Sequence, residues 1–158
     1  MTPNEQSFPV ALFEYRPETG QVLRGGKPCG AVDAKGYLRI RGNGIRVRAH
    51  RIAWRLMTGA WPTEEVDHIN GNRSDNRWSN LRAASRAQNC ANLGVQSRSK
   101  SKERGVSWRA SAAQWWVELA AGGVRYRFAA SHYMSAVVAA RLIRRVLHGE
   151  FARTQEAA

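Results

Sequence analysis

The chain has 158 residues, enough for one ordinary domain or two small modules. It holds no 18-residue apolar run, and its first ten residues lack the basic start and apolar core of a signal peptide, so we expect a cytoplasmic protein with no membrane partner. With 25 Lys and Arg against 12 Asp and Glu, the formal net charge of +13 favours a polyanionic partner, and nucleic acid is the usual one.

The first third of the chain is predicted to form short strands separated by glycine turns. Residues 37–41 alternate between apolar and polar, residues 42–44 are a Gly-Asn-Gly turn, and residues 45–49 alternate again, which is typical of a β-hairpin. Apolar residues at helical spacing then predict a helix over residues 50–59. One face of the hairpin is either a solvated surface or a phosphate-facing one, and it carries Arg39, Arg41, Arg46 and Arg48.

Residues 64–93 are predicted to fold as two strands followed by a helix. Residues 64–69 indicate a strand, Asn70-Gly71 is a strong turn signal, and residues 81–85 suit the returning strand. Ser85-Arg86-Ala87-Gln88 then fits a capping box that opens a short helix. The predicted order is therefore strand, loop, strand, helix, a ββα unit.

Two further segments follow the ββα unit. Residues 94–104 are rich in Ser, Lys and Arg and are predicted to form a basic linker between domains. Residues 105–153 predict three alternating strands and one long helix that ends at Gly149. Ser131 is placed to cap that helix.

The ββα unit contains the residue types that hydrolysis of a phosphodiester needs. His68 can take a proton from water, and Asp67, on the other side of the strand, can bind a cation. Residues 51–80 carry four basic and four acidic side chains, so a divalent cation can supply positive charge there without competition from an excess of Arg. Asn89, 22 residues after Asp67, can complete a site for Mg²⁺ or Mn²⁺, and Asn80, 12 residues after His68, can hold the imidazole in place.

The stretch DHINGNRSDNRWSNLR, followed by Gln88-Asn89, resembles the HNH endonucleases, the ββα-metal nucleases of phage and intron-encoded enzymes. It is similar to the subgroup in which the third motif residue is Asn, and the resemblance covers about residues 36–93. It implies that Asp67 and Asn89 bind the metal, that His68 is the general base and that Asn80 orients it. It also implies metal-dependent cleavage of double-stranded DNA by a phage or homing-type enzyme, in a bacterial or phage-infected cell.

The other polar residues of the loop have simpler interpretations. Asn70, Asn72 and Asn76 are expected to shape turns, and Asn80 could also be structural. Arg73 either clamps the scissile phosphate or is a solvated loop residue, and the same alternatives hold for Arg77.

Residues 105–153 resemble an AP2-type DNA-binding domain. The resemblance is carried by GVSW, by the strand with alternating Trp115, Val117 and Leu119, and by HGEFA after the helix. It implies a three-stranded antiparallel sheet that enters the major groove, with a helix packed behind it. The DNA-facing residues would then include Arg109, Trp116, Arg125 and Arg127. An arginine-decorated surface without a ligand is the alternative. The third strand ends in FAAS rather than in the family's Gly-Phe/Tyr turn, so the resemblance does not fix the residue at which the helix begins.

The expected fold class is α+β. A ββα-metal HNH module over residues 8–93, with its core at 64–93, is preceded by a β-hairpin and helix and joined by the linker 94–104 to an AP2-like domain at 105–153. The expected activity is that of a monomeric or weakly dimeric endonuclease, which cuts both strands only through two chains or two events. The alternatives are a non-catalytic DNA-binding regulator on a nuclease-like scaffold and an RNA-directed hydrolase.

Overall fold

A computed structural model of the chain describes residues 3–95 and 99–152. The chain divides into two compact units, with the boundary between Asn89 and Cys90. The mixture of helices and small antiparallel sheets confirms the expected α+β class. None of the helices in the described ranges is long and apolar enough to cross a membrane.

Unit 1, up to Asn89, is built from two three-stranded sheets, a helix and a ββα hairpin. Three-residue 3-10 turns lie at Val10–Leu12 and Trp78–Asn80. The elements in chain order are α1 (Pro3–Gln6), β1 (Phe13–Arg16), β2 (Gln21–Arg24), β3 (Lys27–Pro28), β4 (Ala31–Val32), β5 (Leu38–Gly42), β6 (Ile45–Arg48), α2 (Ala49–Thr58), β7 (Glu65–His68), β8 (Leu81–Ala84) and α3 (Arg86–Asn92), the last of which runs past the unit boundary.

The predicted hairpin is confirmed as β5 and β6. Asn43 and Gly44, between the strands, both have positive φ, the combination that matches a two-residue turn to the twist of the flanking strands. Ile40 faces Val47 on the buried side, and Arg39 faces Arg48 on the other. The alternation of the sequence thus separates an apolar face from an arginine face.

The core of unit 1 forms where α2 packs on this hairpin and on β1 and β2. Ile52 and Ala49 of α2 are fully buried, and burial of each large aliphatic side chain contributes roughly 1.5–3 kcal/mol. The helix ends as predicted at Gly59, a left-handed residue whose N–H donates to the carbonyl of Arg55 at 3.0 Å. The buried cluster comprises Phe8, Phe13, Val22, Ile40, Val47, Ala49 and Ile52.

The ββα order is confirmed by β7, β8 and α3. The two strands are antiparallel, with Asp67 opposite Arg82 and His68 opposite Leu81. The capping box forms in both directions: the Ser85 N–H donates to Oε1 of Gln88 at 2.8 Å, and the Gln88 N–H donates to Oγ of Ser85 at 3.3 Å.

Unit 2, from Cys90 onward, contains one antiparallel sheet and one long helix, as predicted. The sheet order is β11-β10-β9, and its central strand buries Val117 and Leu119 in the core that also contains Ala136 and Ala140 of the helix. The Ser131 cap is wrong, because the residue before the helix is His132 and it makes no side-chain capping bond. The elements are β9 (Val106–Arg109), a 3-10 turn (Ala110–Ala112), β10 (Gln114–Ala121), β11 (Val124–Ala130), α4 (Tyr133–His148) and a 3-10 turn (Gly149–Phe151).

Part of the predicted linker belongs to the folded core of unit 2. Ser101 and Glu103 are 6% and 4% exposed. The Ser101 hydroxyl donates to the carbonyl of Val106 at 2.6 Å, and Glu103 accepts from Arg141 at 2.7 Å. A stretch of polar composition is therefore buried because folded partners satisfy it. Residues 96–98 of the predicted linker lie outside the described residues.

The turn between β1 and β2 packs against the loop that joins β7 to β8. The Trp78 N–H donates to the carbonyl of Pro17 at 2.9 Å, and the Tyr15 hydroxyl donates to the carbonyl of Asn76 at 2.6 Å. A Cβ atom on Gly20 would lie only 2.4 Å from the backbone nitrogen of Arg77. The close approach of these two backbone segments therefore requires glycine at position 20.

We predict that Gly20→Ala lowers the free energy of unfolding of unit 1 by about 2 kcal/mol or more, because it combines a backbone clash with a φ of +73°. The matched control is Gly25→Ala, at a φ of +56° with open space around its Cβ, which should cost only the conformational strain of about 1 kcal/mol. Urea denaturation of both variants measures the difference. Equal losses would show that the packing of the two segments does not restrict position 20.

Candidate active site

Asp67 and His68 are consecutive residues of β7 and point to opposite sides of the strand. Both are buried, at 5% and 4% exposure. Asp67 meets Arg82 on one side, and His68 meets Asn76 on the other. The predicted separation of a carboxylate side from an imidazole side is therefore present.

The imidazole of His68 is held by the side chain of Asn76. Nδ2 of Asn76 donates to the carbonyl of Ser74 at 3.1 Å, so Oδ1 faces the ring and lies 3.2 Å from Nε2 of His68. Since a carboxamide oxygen only accepts, Nε2 carries the proton, and the lone pair of the neutral ring is on Nδ1. His68 thus has a fixed tautomer and a defined basic nitrogen.

The side chain of Asn80, predicted to orient His68, is hydrogen-bonded within the loop, and Asn76, expected to shape a turn, is the amide that contacts the ring. Oδ1 of Asn80 accepts from the Asn70 N–H at 2.9 Å, and its Nδ2 donates to the carbonyl of Asp75 at 2.7 Å. The carbonyl of Asn80 accepts from the N–H of Ile69 at 2.9 Å. Asn80 therefore closes the loop, and its role in orienting His68 stays a prediction.

Two more rings surround the candidate base. The rings of His50 and His68 meet edge to face at 4.9 Å between centroids. Tyr37 lies 5.5 Å from His50 and 6.1 Å from His68. Within the described residues, Nδ1 of His50 is buried without a hydrogen-bond partner. Neither His50 nor Tyr37 was assigned a place beside the base from the sequence.

Burial keeps both imidazoles neutral. It lowers the pKa of His68 from its usual value, against the opposing effects of the Asn76 hydrogen bond and of the carboxylates of Asp67 and Asp75. Burial also lowers the pKa of His50 well below 6.5, and the positive charge of Arg48 acts in the same direction. At neutral pH His68 is therefore in the form that can accept a proton.

The residues predicted to hold a metal lie on the carboxylate side of β7. Oδ2 of Asp67 accepts two hydrogen bonds from Arg82, at 3.0 and 2.9 Å. Nδ2 of Asn89 donates to Glu65, which shares a side of β7 with Asp67 because the two are two residues apart. No three His, Cys, Asp or Glu side chains converge on a metal position in the described ranges. The two predicted ligands, the carboxylate of Asp67 and the amide oxygen of Asn89, are of the kind that Mg²⁺ binds, because this ion takes few protein ligands and keeps several waters.

The two loop arginines predicted to contact DNA differ in their partners. Arg77 pairs with Asp75 at 2.7 Å and holds the pKa of that carboxyl at about 2, so its charge is offset within the loop. Arg73 donates to the carbonyl of Lys35 at 3.0 Å, and its guanidinium carbon lies 4.9 Å from the ring centroid of Tyr37. Among the described residues, no carboxylate therefore pairs with the positive charge of Arg73 beside the candidate base.

In unit 2 the residues predicted to face DNA lie on the sheet face opposite to the one that contains Val117 and Leu119. The guanidinium carbon of Arg109 lies 4.5 Å from the ring of Trp116, whose Nε1 is buried without a partner among the described residues. Arg127 pairs with Glu118 at 3.2 Å. The alternation predicted for Trp116, Arg125 and Arg127 is present, and their role in DNA binding stays a prediction.

Comparison with known proteins identifies the family of the chain. Residues 47–91, from the end of β6 into α3, match the family model of the HNH endonucleases. Protein 3.8 of Escherichia phage T7 is 31% identical over 107 residues, which are 67% of this chain and 88% of that protein. The chain therefore belongs to the HNH endonuclease family, and protein 3.8 is one of its phage relatives.

A solved structure, described as DNA binding and cleavage by the HNH homing endonuclease I-HmuI, is also similar. The similarity has a TM-score of 0.43 and 21% identity, and it covers 73% of this chain and 71% of that one.

We predict that the stability of unit 1 falls as the pH drops below 6.5 and that His50→Phe reduces this fall. In the unfolded chain His50 takes up a proton near its ordinary pKa of about 6.5, whereas in the folded chain its pKa lies well below that value. Each pH unit below 6.5 therefore costs up to about 1.4 kcal/mol for this group. Urea denaturation between pH 5 and 8 measures the slope. Parallel curves for the two proteins would contradict the prediction, whatever their offset.

Proposed function

We propose that the chain is a metal-dependent DNA endonuclease in which His68 is the general base and Asp67 with Asn89 holds a divalent cation, Mg²⁺ or Mn²⁺. The observation that carries the proposal is the buried, neutral imidazole of His68, with its tautomer fixed by Asn76 at 3.2 Å. The match of residues 47–91 to the HNH endonucleases supports the reaction type. The phage relative supports a phage-type enzyme.

In this proposal Nδ1 of His68 takes a proton from the water that attacks the phosphorus. The new P–O bond forms as the bond to the 3′ oxygen breaks, leaving, as in the family, a 3′-hydroxyl and a 5′-phosphate. Asn76 accepts from Nε2 throughout, and Asp67 and Asp75 offset the positive charge that develops on the ring. A bound cation would supply positive charge to the phosphate and to the leaving oxygen.

The sheet of unit 2 is proposed to hold the duplex in the manner of an AP2-type domain. Its exposed face carries Arg109, Arg125 and Arg127, and the chain has a net charge of +13 that favours a polyanion. One active site per chain cuts one strand, so a monomer nicks and a weak homodimer or a second event completes a double-strand break.

A non-catalytic DNA-binding regulator is the second candidate, and one contact favours it. Arg82 donates twice to Oδ2 of Asp67, the carboxylate assigned to the metal. A cation would have to share that carboxylate with a guanidinium. Cleavage assays with and without metal separate the two candidates.

We predict that the purified chain nicks supercoiled plasmid with Mg²⁺, that EDTA stops the reaction, and that His68→Ala slows nicking by about 10²–10⁴-fold because it removes the general base. Duplex binding by fluorescence anisotropy should stay within twofold. The exposed His132 supplies the control, as His132→Ala should cut normally. Cutting by His68→Ala at the wild-type rate would show that His68 is not the general base. Tight duplex binding by the wild type without cutting, whichever divalent metal ion is added, would favour the non-catalytic regulator.

We predict that Arg125→Gln combined with Arg127→Gln weakens duplex binding and lowers the slope of log K against log salt by about two, since each phosphate contact contributes about 0.9. The matched control is Arg145→Gln, an exposed arginine on α4. Anisotropy titrations between 50 and 200 mM salt measure the slope. An unchanged slope would show that this sheet face does not contact the duplex. An equal loss of affinity for double-stranded RNA would favour the RNA-directed alternative.

A further inference from the structure

Two guanidinium groups lie against the ring of Tyr37, which is next to the candidate base. The guanidinium carbon of Arg48 is 4.2 Å from the ring centroid, and that of Arg73 is 4.9 Å from it. The same ring lies 6.1 Å from the ring of His68. One tyrosine thus brings together an arginine from β6 and an arginine from the loop that follows β7.

The backbone explains why these residues meet. Arg39 and Tyr37 are two residues apart and share a side of the chain, and Arg39 is paired directly with Arg48. Tyr37 therefore lies diagonally across from Arg48, at the distance where a large ring reaches its neighbour. Arg73 is fixed from the other direction by its bond to the carbonyl of Lys35.

Neither of these charges is neutralised. In residues 3–95 and 99–152 no salt bridge involves Arg48 or Arg73: Arg48 lies against the ring of Tyr37, and Arg73 contacts that ring and the carbonyl of Lys35. An anion bound by both guanidinium groups would offset their positive charge. Four other arginines of unit 1 do have carboxylate partners: Arg39 with Asp33, Arg51 with Glu5, Arg77 with Asp75 and Arg82 with Asp67.

The start of α2 adds to the positive potential at this position. Arg48 is the residue before the helix, which has ten residues. No side chain caps its first N–H groups, and its first turn contains no acidic residue. An uncapped helix N-terminus favours an anion in the same way as the two guanidiniums do.

We propose that Arg48 and Arg73 form a phosphate clamp that binds the phosphodiester being cut, and that Tyr37 is the residue that positions both guanidiniums. The inference rests on the proposed endonuclease function and names the residues that hold its substrate. The clamp stabilises the negative charge that builds up on the phosphate oxygens as water attacks. Arg48 and Arg73 touch the reacting group, and Tyr37 acts through them.

The first test is single-turnover cleavage at saturating DNA. Arg48→Gln and Arg73→Gln should each slow the step by about 10²-fold, since donors aimed at developing charge contribute about that much or more. The matched control is Arg24→Gln, an exposed arginine of β2 whose guanidinium carbon lies 5.8 Å from the ring centroid of Phe13. It should leave the rate at saturation unchanged. The same saturating rate for all three variants would overturn the clamp.

The second test isolates the role of Tyr37. Tyr37→Phe keeps the ring and should cut at the wild-type rate, whereas Tyr37→Leu should be slowed as much as the double variant of Arg48→Gln with Arg73→Gln. Because the ring acts through the arginine, Arg48→Gln should then add little to Tyr37→Leu. Two effects that multiply independently would show that Tyr37 does not position the guanidinium. Urea denaturation of each variant checks that all of them are folded.

Binding measured in EDTA separates this inference from the proposed function. The clamp predicts that Tyr37→Leu lowers the salt slope of duplex binding by about two, as does the double variant of Arg48 and Arg73, and that the control Arg24→Gln leaves the slope unchanged. If the wild type binds in this way but never cuts, the endonuclease assignment fails and the clamp stands. If the wild type cuts and Tyr37→Leu leaves both slope and rate unchanged, the clamp alone fails.

Discussion

The hydrogen bond between Asn76 and His68 fixes the orientation of the candidate base, and the loop around it is built to keep that bond. Asn76 is 2% exposed, and three of its polar groups are engaged: Oδ1 faces His68, Nδ2 donates to the carbonyl of Ser74, and the backbone carbonyl accepts from Tyr15. Burial raises the pKa of Tyr15 to about 12, so its hydroxyl remains a donor at any working pH. Breaking one of these contacts leaves a buried polar group unpaired, which costs roughly 1–3 kcal/mol.

Burial and the charges around His68 keep its imidazole unprotonated at neutral pH. Burial and the nearby Arg73 disfavour the protonated ring of His68, while Asn76 and the carboxylates of Asp67 and Asp75 limit how far they do so. The imidazole is thus neutral at rest and can still accept a proton during reaction.

Local patterns were sufficient to predict most of the fold. The hairpin of β5 and β6, the capping box of Ser85 with Gln88 and the alternation of β10 depend on neighbours within a few residues, and all are present. The sequence was less informative where a contact is set by distant partners. Asn80 and Asn76 are chemically alike, and the sequence pattern does not tell which of the two amides lies against the ring of His68. Likewise, Glu103 is buried because Arg141, 38 residues later, binds it.

The close packing of Gly20 against Arg77 has a consequence for how this nuclease can be divided or reused. The family match begins at residue 47, yet the groups that brace its loop come from earlier in the chain: the hydroxyl of Tyr15, the carbonyl of Pro17 and the ring of Tyr37. A fragment cut to residues 47–91 loses all three. A fragment that keeps all three contacts for fusion to another DNA-binding protein must therefore start before Tyr15.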